Sequence, residues 1–183
     1  MREVWIVGIV LAALASVSPV LGESARVKEH EYVGVKKCAM CHSDPRKGAQ
    51  YQQWASTKHA MAWRVLGTER AVMKAAEVGE YRSPRSSNRC RPCNTTAYGV
   101  KKELLSDGVR LEDGIGCERC HGPGGDYEAM DVMTSREQSM ANGMIIPGEK
   151  LCRQCHTSPK FDYKANIGAV NHPDPRRFNK PAR

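Results

Sequence analysis

The sequence has few of the side chains that normally build a hydrophobic core in a chain of this length. Among its 183 residues only 2 are Phe and 3 are Trp, and aromatic residues make up 6% of the total. A chain of this size must bury apolar surface to offset the conformational entropy lost on folding. We therefore expect a bound apolar group, rather than side chains alone, to fill much of the interior.

Beyond its first residues the sequence has no apolar run of the roughly 20 residues that a membrane-spanning helix needs. Residues 4–17 are largely apolar, follow the charged Arg2 and precede the small residue Gly22. This pattern predicts a secretory signal peptide at 1–22, cleaved after Gly22, and a single domain at 23–183. The alternative is a membrane anchor. We expect an exported, periplasmic protein with no transmembrane span after cleavage.

The sequence also has no long block of basic residues, although its formal net charge is +8. Its Lys and Arg residues are spread along the chain, whereas segments that bind nucleic acid usually concentrate them. We therefore expect no nucleic-acid partner. Cofactors that carry carboxylates would offset much of the positive charge.

No cysteine stands alone, because all 8 fall in Cys-x-x-Cys pairs. In three of the pairs a histidine follows directly, which is the attachment signature of c-type heme. Two sulfurs one helical turn apart can reach the two vinyl groups of one porphyrin, and the next residue can place its imidazole on the iron. We predict heme c at these three pairs and leave a fourth heme at the remaining pair open. The motifs are Cys38, Cys41 and His42; Cys117, Cys120 and His121; Cys152, Cys155 and His156; and the pair Cys90 and Cys93.

Two other uses of paired cysteines are open from the spacing alone. Structural zinc also takes Cys-x-x-Cys pairs, but it does not require a histidine at the next position three times. Disulfides suit an oxidising destination. Neither alternative accounts for the scarcity of core-forming side chains, whereas three or four large apolar porphyrins do.

Hydrophobic spacing predicts helices at 48–66, 68–79 and 134–143, with Thr68 capping the second of them. An Asp-Gly turn favours a hairpin over 100–114. The expected fold class is mainly α: a small multiheme c-type cytochrome fold in which helices and loops pack around hemes with little β structure.

Several stretches appear in an order that carries a family resemblance: "YVGVKKCAMCH", "WASTKHAMAW", "GIGCERCHGPGGDY", "LCRQCHTSPKFDY" and "VNHPDP". This set resembles the tetraheme cytochromes of the c-554 type, over residues 32–175. The resemblance implies a multiheme electron-transfer protein. It also implies that histidines from elsewhere in the chain bind the far faces of some hemes.

The resemblance assigns two such far ligands. It implies that His59 binds the heme whose near ligand is His121, and that His172 binds the heme whose near ligand is His42. From the residues alone, His59 also fits a packed histidine on an apolar helix face. His172 likewise fits a surface histidine in a proline-rich tail.

The sequence departs from the family at the far ligand of the fourth heme. The resemblance places a histidine ten residues after His121, where this chain has Asp131. The neighbouring Met130 and Met133 are candidate replacements, because thioether sulfur is an accepted heme ligand. The alternative is that both are packing methionines.

A second departure lies at Cys90 and Cys93, where Asn94 occupies the position of the near histidine. An amide oxygen is a weak ligand for heme iron, which normally takes His, Met, Cys or Tyr. Either the site is empty, with its two cysteines free or joined, or another residue supplies the ligand. His30 is the one histidine left unassigned, and it also fits a solvated residue near the start of the domain.

The sequence therefore predicts a secreted multiheme c-type cytochrome that relays single electrons between redox partner proteins or quinol-linked donors through closely packed hemes. The alternative function is a small heme enzyme that reduces or oxidises a nitrogen oxide or hydroxylamine at an open-faced heme. An electron carrier is favoured, because the sequence shows no acid–base pair beside a candidate open heme. No oligomeric state is predicted.

Overall fold

The computed structural model describes residues 29–174, so the predicted signal peptide at 1–22 lies outside the described residues. The described chain is built from short helices joined by loops. The α-helices are α1 Val35–His42, α2 Gln50–Ala55, α3 Ala62–Val65, α4 Glu69–Glu77, α5 Cys117–His121, α6 Met130–Met133, α7 Arg136–Ala141, α8 Glu149–Cys152 and α9 Tyr163–Asn166. Single 3-10 turns cover Pro45–Lys47, Arg91–Cys93, Lys102–Leu104, Leu111–Asp113 and Ile167–Ala169.

The predicted mainly α fold class is confirmed, because residues 29–174 contain no strand and only one isolated parallel bridge, between Tyr32 and Leu105. The predicted hairpin at 100–114 is wrong. This segment pairs with the N-terminal arm instead of with itself: the Tyr32 amide donates to the Leu104 carbonyl at 2.8 Å, and the Ser106 amide donates to the Tyr32 carbonyl at 3.0 Å. The turn at Asp107 and Gly108 does form, with the Val109 amide donating to the Ser106 carbonyl at 3.1 Å, but its flanks pair with residue 32 and not with each other.

The predicted helix at 48–66 is broken in the middle, because α2 ends at Ala55 and α3 begins at Ala62. Tertiary hydrogen bonds hold the break open. The Ile115 amide donates to the His59 carbonyl at 3.0 Å, and the Trp54 indole donates to the Ile115 carbonyl at 2.8 Å. His59 therefore lies in a turn that is fixed against the segment before α5, and not on a helix face.

The predicted helix at 68–79 is confirmed by α4, and Thr68 caps it as expected. The Thr68 hydroxyl oxygen accepts a hydrogen bond from the Ala71 amide at 3.2 Å. Such a cap satisfies one of the donors that every helix start leaves without an intrahelical partner. The predicted helix at 134–143 is present as the shorter α7, where the Ser135 hydroxyl accepts from the Gln138 amide at 3.3 Å.

Few large apolar side chains are buried among the described residues. Apart from Leu66, Ile115 and Tyr127, the buried apolar set consists of small residues, namely Val35, Ala62 and Ala75. Several methionines and valines are exposed instead, for example Met40, Met73, Val72 and Val78. Side chains alone therefore fill little of the interior, as the composition predicts. None of the helices within residues 29–174 is long and apolar enough to cross a membrane.

Candidate heme-binding sites

The three Cys-x-x-Cys-His motifs all lie on helical turns. The first motif forms the end of α1, the third motif is the whole of α5, and the fourth begins at the end of α8. Beyond α8 the helical path continues, because the amides of Cys155 and His156 both donate to the Cys152 carbonyl, at 3.1 Å and 2.9 Å. Each motif therefore places its sulfurs one turn apart. All eight cysteines lie within residues 29–174, and no disulfide joins any two of them.

His59 and His156 face each other across a short gap. Their ring centroids lie 6.0 Å apart at an interplanar angle of 64°. A metal–imidazole nitrogen bond is about 2 Å long, so two rings on opposite faces of one iron have their centroids roughly 6 Å apart. Burial lowers the pKa of His59, which favours the neutral imidazole that binds a metal. The pair therefore fits the two axial ligands of one heme iron.

His121 and His172 form a second facing pair, with ring centroids 5.8 Å apart and an interplanar angle of 46°. The Nδ1 atom of His121 lies 3.3 Å from the carbonyl oxygen of Ile145. A hydrogen bond at Nδ1 leaves Nε2 available and fixes the ring orientation, as is usual for metal-bound histidines. Burial lowers the pKa of His121 as well.

His42 is oriented by a buried amide. Its Nδ1 atom lies 3.3 Å from Oε1 of Gln50, which is 5% exposed. The Gln50 amide nitrogen in turn donates to the Pro173 carbonyl at 2.9 Å, so one side chain ties the first motif to the segment of His172. Burial lowers the pKa of His42, and the electrostatic interaction with the nearby His172 lowers it further. His172 therefore lies close to both His42 and His121.

The ligand pairing that the family resemblance implies, His59 with the heme of His121 and His172 with the heme of His42, stays a prediction, but the ring contacts point to a different one. His59 faces His156 rather than His121, and His172 makes its ring contact with His121 rather than with His42. The sequence could not show this, because the position of His59 depends on a helix break that is fixed by a distant segment.

The prediction that Met130 or Met133 binds the heme of His156 also stays a prediction, and it now has a competitor. An imidazole, that of His59, lies opposite His156, where the sequence suggested a thioether. Met130 is 59% exposed in α6, and Met133 is half-buried at the end of the same helix. Ligation by a methionine and packing by two ordinary methionines are therefore both open, with His59 as the competing ligand.

The Cys90/Cys93 pair differs from the other three in its local geometry. It lies on the 3-10 turn Arg91–Cys93, and the side-chain amide of Asn94 donates to the Cys90 carbonyl at 2.7 Å. The amide is therefore engaged with the backbone of its own turn. His30 does not replace the missing histidine, because its Nδ1 lies 2.6 Å from the Asp126 carboxylate and it is not among the residues around the Cys90/Cys93 pair.

The same pair opens into a cleft of about 320 Å³ beside α4. The walls include the apolar residues Leu66, Ala75 and Val78, and the cationic residues Arg70, Lys74 and Arg89 are also part of the lining. This combination suits an apolar plate with acidic substituents, which is the chemical character of heme. No histidine lines the cleft. The site thus offers thiols and walls for a heme but no imidazole.

Cysteines from different motifs lie close to one another. A hydrogen bond between the thiols of Cys38 and Cys117, followed by burial, raises the pKa of Cys38. Burial and a hydrogen bond with Cys155 raise the pKa of Cys93 to about 11. The charge of Cys152 likewise contributes to the raised pKa of Cys120, after burial. The four attachment sites therefore form a connected series, in which the first lies next to the third, the third next to the fourth, and the fourth next to the second.

Two residues that the sequence did not indicate fix the surroundings of the His156 ring: one packs on the ring, and the other holds the first in place. Phe161 stacks on it with centroids 4.5 Å apart and an interplanar angle of 12°. The guanidinium of Arg153 lies 5.0 Å from the Phe161 ring centroid and donates to the Phe161 carbonyl at 2.8 Å. The spacing of an aromatic residue five positions after His156 was the available signal. The stack fixes the plane of a candidate axial ligand.

Removal of Phe161 is expected to loosen this one ligand. In Phe161→Ala the His156 ring loses its stacking partner, so the heme on Cys152 and Cys155 should show a broadened low-spin electron paramagnetic resonance signal and a shifted reduction potential. The other hemes should keep their wild-type signals and reduction potentials. Tyr81→Ala is the control, because this aromatic ring is 86% exposed. An unchanged spectrum in the Phe161 variant would show that the stack does not orient the ligand.

Three helical Cys-x-x-Cys-His motifs, with two pairs of facing imidazoles between them, define a multiheme c-type cytochrome. Comparison with known proteins agrees. Residues 37–122 match the family model described as cytochrome c554 and c-prime. Cytochrome c-554 of Nitrosomonas europaea is 28% identical over 163 residues, which cover 81% of this chain and 66% of that protein. The resemblance to the c-554-type cytochromes is thereby confirmed, and heme c is the cofactor of this family.

A solved structure supports the same fold. The reduced state of cytochrome c554 from Nitrosomonas europaea superposes with a TM-score of 0.53 at 23% identity, over 79% of this chain and 80% of that one. At this identity the likeness concerns the fold. The chain spans 66% of the length of the curated relative, a little under two thirds.

Proposed function

We propose that this protein is an exported electron carrier that relays single electrons through closely packed hemes between redox partner proteins or quinol-linked donors. The observation that supports this proposal best is the presence of two pairs of facing imidazole rings. His59 faces His156, and His121 faces His172. These two pairs could each hold one heme iron, and an iron held by two imidazoles would have no position for a substrate. Each bound heme supplies reversible one-electron chemistry, and the chain supplies axial nitrogens, orientation and local polarity.

The close approach of the attachment sites supports a relay. Contacts between cysteines of different motifs, such as Cys38 with Cys117 and Cys93 with Cys155, bring neighbouring sites together without an intervening layer of protein. Electrons that enter at one site would therefore have a continuous path to another. In this proposal three hemes are held by His42, His121 and His156, and the Cys90/Cys93 cleft is the site that differs.

The alternative function, chemistry on a nitrogen oxide or hydroxylamine, would need an iron with one open face. Carbon monoxide separates the two functions, because it binds reduced iron only where a position is open. For an electron carrier, the reduced holoprotein should show sharp α and β bands, and carbon monoxide should leave the hemes of His121 and His156 unchanged. It should also exchange single electrons rapidly with a quinol-linked donor. The protein should be recovered from the periplasmic fraction of the cells that produce it.

A different result would favour the enzyme. If carbon monoxide shifts most of the reduced spectrum, and hydroxylamine or nitric oxide is turned over, the electron-carrier proposal fails. A preparation with no visible heme band would contradict both functions.

A further inference from the structure

Glu118 lies inside the third heme motif, between its two cysteines, and is only 3% exposed. Its carboxylate accepts three backbone hydrogen bonds of 2.8 Å each. Oε1 accepts from the amides of Val33 and Gly124, and Oε2 accepts from the amide of Gly34. Buried charges are rare unless they are well satisfied, so this carboxylate has a specific task.

The three amides come from two segments that flank two different heme motifs. Val33 and Gly34 immediately precede α1, which carries the first motif, and Gly124 follows the third motif in the Gly-Pro-Gly-Gly turn. One side chain therefore connects the segment before the first motif with the segment after the third motif. At the same junction the Cys38 thiol donates to the Gly34 carbonyl at 3.7 Å.

Two glycines make this close approach feasible. Gly34 has a φ of +85°, which favours glycine, and a Cβ there would lie within 2.1 Å of the carbonyl oxygen of Gly108. A Cβ on Gly124 would lie 2.9 Å from the Val33 side chain and 3.2 Å from the Glu118 carboxylate. Gly34 therefore lets the segment before α1 pack against residue 108, and Gly124 lets the backbone approach the carboxylate.

The carboxylate is an electrostatic neighbour of both attachment sites. Glu118 directly follows Cys117 in the chain, and Gly34, whose amide donates to the carboxylate, accepts through its carbonyl from the Cys38 thiol. A buried carboxylate with only N–H partners is acceptor-only, as the ionised form requires. An anion beside a heme stabilises the oxidised, more positive iron, and charge and hydrogen bonding near a redox centre set its potential.

We propose that Glu118 is a positioning residue that fixes the first and third heme-binding segments relative to each other and lowers the reduction potentials of the two hemes attached there. The proposal rests on heme attachment at Cys38/Cys41 and Cys117/Cys120. It goes beyond the electron-carrier function by naming a residue that sets the reduction potentials of two adjacent sites relative to the rest of the chain.

The direct test is Glu118→Gln in the holoprotein, with heme content checked by intact mass. The substitution removes the charge and leaves a side chain of nearly the same size. In a spectroelectrochemical titration we expect two of the hemes to shift to higher potential, while the heme on Cys152 and Cys155 moves least. Glu112→Gln is the matched control: it removes the same charge from an exposed side chain that lies 3.7 Å from Arg110. It should leave all potentials close to those of the wild type.

A second variant separates position from charge. Glu118→Asp keeps the carboxylate but shortens its reach by one methylene, so the potentials should stay near the wild-type values. Hydrogen exchange should then speed up at one or more of the amides of Val33, Gly34 and Gly124. In the wild-type holoprotein these three amides should exchange slowly together.

Several outcomes would overturn the proposal. One is a Glu118→Gln protein with full heme content whose potentials match those of Glu112→Gln. Another is a uniform shift of every heme. If Glu118→Gln does not retain its hemes, hydrogen exchange in the wild-type holoprotein tests the proposal instead. Rapid exchange at the three amides would show that Glu118 does not fix the two segments. Absence of heme from the wild-type protein would be a failure of the proposed function, which intact mass distinguishes from a failure at Glu118.

Discussion

Replacing His59 with alanine is expected to convert one low-spin heme of the holoprotein into a high-spin heme. The reason is geometric: the His59 ring lies 6.0 Å from that of His156, as two axial imidazoles on one iron would. Loss of one imidazole opens a face of the heme on Cys152 and Cys155 while both thioether bonds remain. The visible spectrum should gain a high-spin band, and carbon monoxide should bind to one additional heme after reduction.

His30→Ala is the matched control for this experiment. His30 is also half-buried, but its ring is paired with Asp126 at 2.6 Å, so its removal should leave the heme spectrum unchanged. The double variant His59→Ala with His172→Ala should open two hemes, because the two histidines face different partners. If His59→Ala stays wholly low-spin, His59 is only a packed histidine and the facing-pair assignment is wrong.

The second large effect concerns the pair that lacks its histidine. Asn94→His restores the full Cys-x-x-Cys-His signature on a turn that already faces a cleft of about 320 Å³ with apolar and cationic walls. We expect the variant to contain one more histidine-ligated heme than the wild type. Intact mass shows the gain if the wild-type site is empty, and the ligand spectrum shows it if heme is already attached there.

Asn94→Ala is the control for this substitution. Both variants lose the 2.7 Å hydrogen bond from the Asn94 side chain to the Cys90 carbonyl, but only histidine adds an iron ligand. The added heme should bind carbon monoxide, because no histidine lines the cleft on its other side. If Asn94→His equals the wild type in both mass and spectrum, Asn94 does not control this site.

The parts of this structure that the sequence predicts are those that depend on local spacing. The Cys-x-x-Cys-His motifs are contiguous in sequence, so their helical geometry follows from three or four neighbouring residues. The cap at Thr68 and the extent of α4 are local for the same reason. The scarcity of large apolar residues is a property of composition and likewise needs no tertiary information.

The parts that escaped prediction depend on contacts between distant segments. The helix at 48–66 breaks because the Ile115 amide bonds the His59 carbonyl, and the hairpin fails because Tyr32 takes the hydrogen bonds of 104–106. The approach of the His59 ring to the His156 ring depends on that break. The role of Glu118 could not be predicted, because two of its amide partners, those of Val33 and Gly34, lie far away in the sequence and the third, that of Gly124, is brought back only by a folded turn.

The central claim is that three Cys-x-x-Cys-His motifs each hold a covalently bound heme. Peptide mass mapping of the exported, purified holoprotein tests this most directly, because thioether-linked heme stays on its peptide after digestion. We expect heme-bearing peptides that contain residues 38–42, 117–121 and 152–156. Recovery of these three peptides with unmodified or disulfide-linked cysteines would contradict the claim.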